Sequence, residues 1–94
     1  LKSIREHTLE KAIEIVTQDR NLDYSAPENN FADISVLWST YLDVDVTPYD
    51  VAILNMLQKI ARIKTSPQLI DHWIDISGYA ACGAECAVND NLFE

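Results

Sequence analysis

No apolar run in this sequence approaches the roughly 20 residues that a membrane-spanning helix needs, and no secretory segment is visible. A cytoplasmic protein with no membrane partner is therefore expected. Basic residues are scarce: seven Lys and Arg stand against fifteen Asp and Glu, for a formal net charge of −8. A surface of that sign repels phosphate backbones, so nucleic-acid binding across a broad patch is not expected. Cysteine occurs only twice. Cys82 and Cys86 are four apart on one expected helical face and have no second pair to complete a zinc site. They read as small buried hydrophobes in a reducing compartment. The phosphate-binding G-x-x-x-x-G-K-[ST] loop, the G-x-S-x-G elbow, the H-E-x-x-H zinc helix and any Cys–His pairing are all missing, which removes several large enzyme classes. There are no internal repeats and no low-complexity tracts.

What remains is a chain of 94 residues, 48% hydrophobic, enough for one globular domain over residues 1–94 with a single modest core. Its apolar residues recur at threes and fours, so the fold class is all-α, a four-helix bundle-like arrangement with helices at about 3–19, 30–42, 48–64 and 67–88. In the first, Glu10 and Glu14 read as solvated partners of nearby basic residues, with a metal-ligand role as the alternative. Residues 19–30, D-R-N-L-D-Y-S-A-P-E-N-N, form a loop rich in turn formers, where Tyr24 packs on the core or covers a ligand. Phe31, Trp38 and Tyr41 give the second helix an aromatic face that reads as core, with stacking on a cofactor as the alternative. Thr47-Pro48-Tyr49-Asp50 caps the third helix. The third and fourth helices are apolar around most of their circumference. That is more surface than 94 residues comfortably cover, so a homodimer stacking both helices against their copies is expected.

Chemistry concentrates in residues 55–79. Asn55, Lys59 and Arg62 share one face of the third helix by spacing. After a Thr65-Ser66-Pro67 turn, read as a hydroxyl capping the first amides of the fourth helix with proline in its first turn, Asp71 and Asp75 stand one turn apart on a segment that is otherwise largely apolar or small. Acidic groups on one arm and basic groups on the other are costly to bury unless they pair or hold a ligand. Two carboxylates at this spacing can share one Mg²⁺, and Lys59 and Arg62 can contact phosphates as a point charge and a fork. The plainer reading pairs Asp71 with a basic residue across the hairpin and has Asp75 hydrogen-bond a helix end. His72 reads as a partly exposed helix residue and not a ligand.

R-N-L-D-Y near residue 20, W-S-T-Y-L at 38–42, K-I-A-R-I-K at 59–64 and D-H-W-I-D-I-S-G-Y-A at 71–80 resemble a family of small phage and prophage domains. These in turn resemble the MazG-like all-α nucleoside triphosphate pyrophosphatases. That likeness implies a dimeric helical fold in which acidic residues hold Mg²⁺, or Mn²⁺, on a triphosphate, and water releases pyrophosphate and a nucleoside monophosphate. The implied site places Asp71 and Asp75 on the metal, Asn55, Lys59 and Arg62 on the phosphates, and Tyr24 or Trp38 on the base. Asp75 matches the final residue of the E-x-x-D motif, while His72 occupies its Glu position, and Lys59 and Arg62 stand where E-x-x-E is expected. The competing expectation is a non-catalytic helical module that binds a host or phage protein. A phage-encoded chain would work in the host cytoplasm.

Overall fold

The computed structural model describes residues 1–19 and 27–89, all helix or short connection with no strand among them. Four α-helices follow in order: α1 (Ile4–Glu14), α2 (Pro27–Leu42), α3 (Pro48–Ile63) and α4 (Ile70–Asn89). Ser3 caps α1 by accepting from the Glu6 amide at 3.1 Å. The helix then widens into a π-helical stretch, Ile15–Asp19. Proline opens α2 and α3 alike, at a position whose missing N–H has no intrahelical partner. The expected loop at 19–30 is thereby shortened at its far end. Most of the rest of it, Tyr24 included, and the end of the chain after Asn89 lie outside the described residues.

The α2–α3 connection is held by side chains. Asp43 takes a positive φ of 56°, the left-handed conformation that ends helices and that Asp tolerates better than most residues. The Ser39 hydroxyl accepts from the Val46 amide at 2.9 Å and donates to the Val46 carbonyl at 3.2 Å. One residue on, Thr47 and Asp50 form a reciprocal capping box: Thr47 Oγ1 accepts from the Asp50 amide, and Asp50 Oδ2 accepts from the Thr47 amide.

Between α3 and α4, the hydroxyls of Thr65 and Ser66 turn backwards. Both donate to the Arg62 carbonyl, at 3.2 and 3.1 Å, and so serve the orphan acceptors ending α3, not the amides opening α4. Residues 64–69 form the turn, and α4 starts at Ile70, three residues after Pro67. The Trp73 indole N–H donates to the Pro67 carbonyl at 2.9 Å, fastening the turn to the first part of α4.

The core lies where α2, α3 and α4 meet. Phe31, Val51, Ala52, Cys82 and Cys86 are buried together, and Val16, Ile34, Trp38, Val46 and Tyr79 pack around them. The rings of Phe31 and Tyr79 tilt against each other with centroids 6.4 Å apart. Helix α4 packs most extensively on α3 and also touches α1 and α2. Its small residues permit this: a Cβ at Gly83 would stand 2.8 Å from the Ala52 Cβ, so the two backbones approach where only a hydrogen fits. Among the described residues no helix is long and apolar enough to cross a membrane.

Candidate functional site

Where α1 and α4 run side by side, a cleft of about 350 Å³ is lined by His7 and Lys11 from α1, by Ile15 at the start of the π-helical stretch, and by Ile70, Asp71, Ile74 and Asp75 from α4. The lining follows from helical spacing: residues 7 and 11 stack along one face of α1, with 15 one turn on, and 70, 71, 74 and 75 along one face of α4. Ile15, Ile70 and Ile74 supply the apolar part of the lining. Histidine and lysine stand on one wall, two carboxylates on the other.

The carboxylates differ in their surroundings. Asp71, in the first turn of α4, is exposed and lies near the positive end of the helix dipole. Asp75 is more enclosed, and its Oδ2 takes a 2.9 Å ion pair from Lys59 Nζ on α3. The side chains of Lys59 and Asp75 are 20% and 32% exposed, against nearly half or more for Lys2–Glu10 and Lys11–Glu14. The pair is thus partly desolvated, and it ties α3 to α4 directly behind the cleft wall. Across the hairpin, it is Asp75 that meets a basic residue, and Lys59 that supplies it.

Beside this pair, His72 departs from its sequence reading: it is buried at 7% exposure. The Ser66 hydroxyl lies 3.1 Å from His72 Nε2 and gives its proton to the Arg62 carbonyl. The tautomer compatible with that bond carries its hydrogen on Nε2 and donates to Ser66 Oγ. Nδ1 is left as a buried acceptor with no partner. His72 is therefore a structural link between turn and helix, and it is not among the residues lining the cleft.

The other expected site residues separate. Asn55 is half-buried on the Lys59 face of α3, Arg62 is exposed, and neither lines the cleft. Trp38 packs against the core cluster and does not reach the cleft, so it offers no stacking platform there. Tyr24 lies outside the described residues. His7 and Lys11, which do line the cleft, passed unnoticed in the sequence. Their signal is an i, i+4 pair of nitrogen bases on a helix whose other charges are mostly acidic. Glu10 and Glu14 are engaged by Lys2 and Lys11, the latter at 3.5 Å, as solvated partners. No group of three or more His, Cys, Asp or Glu side chains among the described residues converges to hold a metal ion.

With this geometry in view, comparison with known proteins places the chain. Residues 7–87 match the DUF6378 family, a domain of unknown function, and the chain belongs to that family. It is 42% identical over 77 residues to the Gene 55 protein of Mycobacterium phage D29, covering 82% of this chain and 51% of the relative. It is 40% identical over 73 residues to the Gene 55 protein of Mycobacterium phage L5, covering 77% of this chain and 47% of the relative. The chain thus spans about half the length of the curated relatives it matches, and the resemblance to small phage domains holds. No solved structure matches.

Proposed function

We propose that the α1–α4 cleft binds the phosphate chain of a nucleoside triphosphate, and that the domain is a Mg²⁺-dependent, MazG-like pyrophosphohydrolase. The observation that carries this reading is the convergence of Asp71 and Asp75 with Lys11 and His7 on one cleft. Its volume falls at the lower end of the range for small-molecule sites.

The donor set fits the metal in a limited way. Mg²⁺ is commonly held by one or two carboxylates, with water and substrate phosphate completing its shell. Asp71 and the Asp75 oxygen left over by Lys59 match that arrangement, and the substrate itself would supply the remaining ligands. When bound there, Mg²⁺ or Mn²⁺ would neutralise charge on the phosphates. Lys11 then gives a phosphate oxygen a mobile point charge, and His7 adds a donor one turn earlier on α1. Lys59 acts through Asp75, holding that carboxylate in place. The reaction is hydrolysis: a water oxygen bonds to the α-phosphorus and the bond to the bridging oxygen of the leaving pyrophosphate breaks. The water proton leaves to solvent at the open Asp71 side of the cleft.

A second reading has its own support. Lys59 already neutralises much of Asp75, and Lys11 is partly engaged by Glu14, so the same cleft suits a non-catalytic module that binds a host or phage protein. One assay separates the two: pyrophosphate release from a mixed panel of nucleoside triphosphates with Mg²⁺ or Mn²⁺, wild type against Asp71→Asn. Asp71 is exposed and its substitution leaves the fold intact, so a loss of about 10²-fold or more reports the site. A silent panel with folded wild-type protein refutes the enzyme reading and leaves the binding module.

A further inference from the structure

Helix α3 has its polarity inverted. Asn55 and Lys59 lie on the side that meets α4, where Lys59 pairs with Asp75, while Val51 and Ala52 are fully buried in the core. The opposite side carries Tyr49, Ile53, Leu54, Leu57 and Ile60, in one broad arc at helical spacing. These five are 40%, 43%, 40%, 52% and 51% exposed. A surface helix ordinarily shows water its polar side. This one shows water its apolar side.

We infer that this arc is the contact surface for a second copy of the chain, joined by an antiparallel two-fold packing of α3 on α3. Two features argue for a copy and not for a partner of other chemistry. The first is area. At roughly 200 Å² for a fully open large side chain, the five exposures leave about 450 Å² per copy, within the range of about 300–600 Å² for the largest apolar patch on a monomer. Two copies together approach the ~1,000 Å² at which specific interfaces begin, before any flanking residue is counted. The second is charge. Two chains of net charge −8 repel each other, and residues 51–58 carry no charge at all. The ends of the helix are opposite in sign: Asp43, Asp45 and Asp50 lie at or before its start, Arg62 and Lys64 at its end. Antiparallel pairing sets each acidic end against the other copy's basic end and opposes the two helix dipoles. A two-fold axis near Leu57 makes the contact isologous and closed.

Sedimentation equilibrium at about 100 µM, where a Kd in the low micromolar range leaves mostly dimer, reads the outcome. The expected mass is that of two 10.6 kDa chains, falling to one in Leu57→Lys with unchanged helical circular dichroism. Cysteine cross-linking gives the same answer without a destabilising charge, because the native Cys82 and Cys86 are buried. Chains carrying Leu57→Cys are expected to join to themselves, and Ile53→Cys chains to Ile60→Cys chains. Gln58→Cys, exposed but off the arc, is expected to stay single. A single-chain mass for the wild type, a dimer that survives Leu57→Lys, or equal cross-linking at Gln58→Cys overturns the proposal.

Discussion

Replacing Gly83 by alanine sets two effects of known size against each other. Within a helix, Gly→Ala gains about 0.8–1.0 kcal/mol of propensity, because alanine loses less backbone freedom on folding. At Gly83 the new methyl carbon would stand 2.8 Å from the Ala52 Cβ, where carbon atoms normally sit about 3.5–4.0 Å apart. Ala52 is fully buried with no rotamer to change, so α3 and α4 must separate by most of an ångström at their closest approach. Overpacking of this kind costs about 1–3 kcal/mol. Gly78→Ala supplies the control. It gains the same propensity, and its Cβ meets only Val16 Cγ1, at 3.2 Å, a side-chain contact that relaxes by a few tenths of an ångström. The expected difference between the two variants is therefore about 1–3 kcal/mol. At roughly 0.2 kcal/mol per degree for a domain of this length, Gly83→Ala melts about 5–15 °C below Gly78→Ala. Thermal denaturation followed by circular dichroism at one fixed protein concentration measures it, concentration being held because association shifts Tm. Equal melting temperatures, or Gly83→Ala the higher, would refute the close-approach argument.

The capping box predicts that Thr47→Ala lowers stability by about 1 kcal/mol in urea denaturation, with an unchanged m-value. Ser66→Ala removes a donor to the Arg62 carbonyl and the acceptor for His72 Nε2 together, so a loss of about 1–3 kcal/mol is expected by the same method. Lys59→Met leaves Asp75 without its partner. Since both groups are partly solvated, the stability cost is held to about 1 kcal/mol or less and shrinks in high salt, which titration in NaCl checks. Asp71→Asn changes stability by no more than about 0.5 kcal/mol, so any loss of pyrophosphate release in that variant reports on chemistry and not on folding.

The helices were legible because the apolar spacing and the punctuation agreed. Thr47, Pro48 and Asp50 announce α3 by residue type alone, and the structure assembles them into the reciprocal cap those types permit. The turn at 64–69 was harder to read. A hydroxyl beside proline can serve the helix behind it or the one ahead, and Thr65 and Ser66 serve the one behind. His72 reads as an ordinary surface residue because nothing in its own neighbourhood reveals that Ser66, six residues back, folds over it. For the site, sequence spacing put Asp71 and Asp75 on one face and Lys59 on the facing helix, but spacing does not choose between the carboxylates: the plainer reading pairs Asp71, and the structure pairs Asp75 at 2.9 Å. Nor could spacing supply the other wall. His7 and Lys11 are sixty or more residues away along the chain, and only the packing of α1 on α4 brings them to the carboxylates.

The same packing explains why charge and apolar surface exchange places on α3. Asp75 lies on the part of α4 that α3 covers, and a partly desolvated carboxylate there needs a counter-charge. Lys59 must therefore face inward, and Asn55, one turn earlier, turns inward with it. With polar groups committed to the α4 side, the outer side of α3 keeps Ile53, Leu57 and Ile60. Helix α4 has no such surplus, since its outer side is mainly small: Ser77, Ala80, Ala81 and Ala84 stand there, with Trp73 anchored to the Pro67 carbonyl. The sequence expectation of a dimer through both helices thus narrows to α3 alone. It also couples the two proposals in a measurable way: Lys59→Met removes the inward charge without touching the outer arc, so it should disturb the cleft and leave association unchanged. A variant that lost both would mean that α3 turns about its axis when the ion pair is broken.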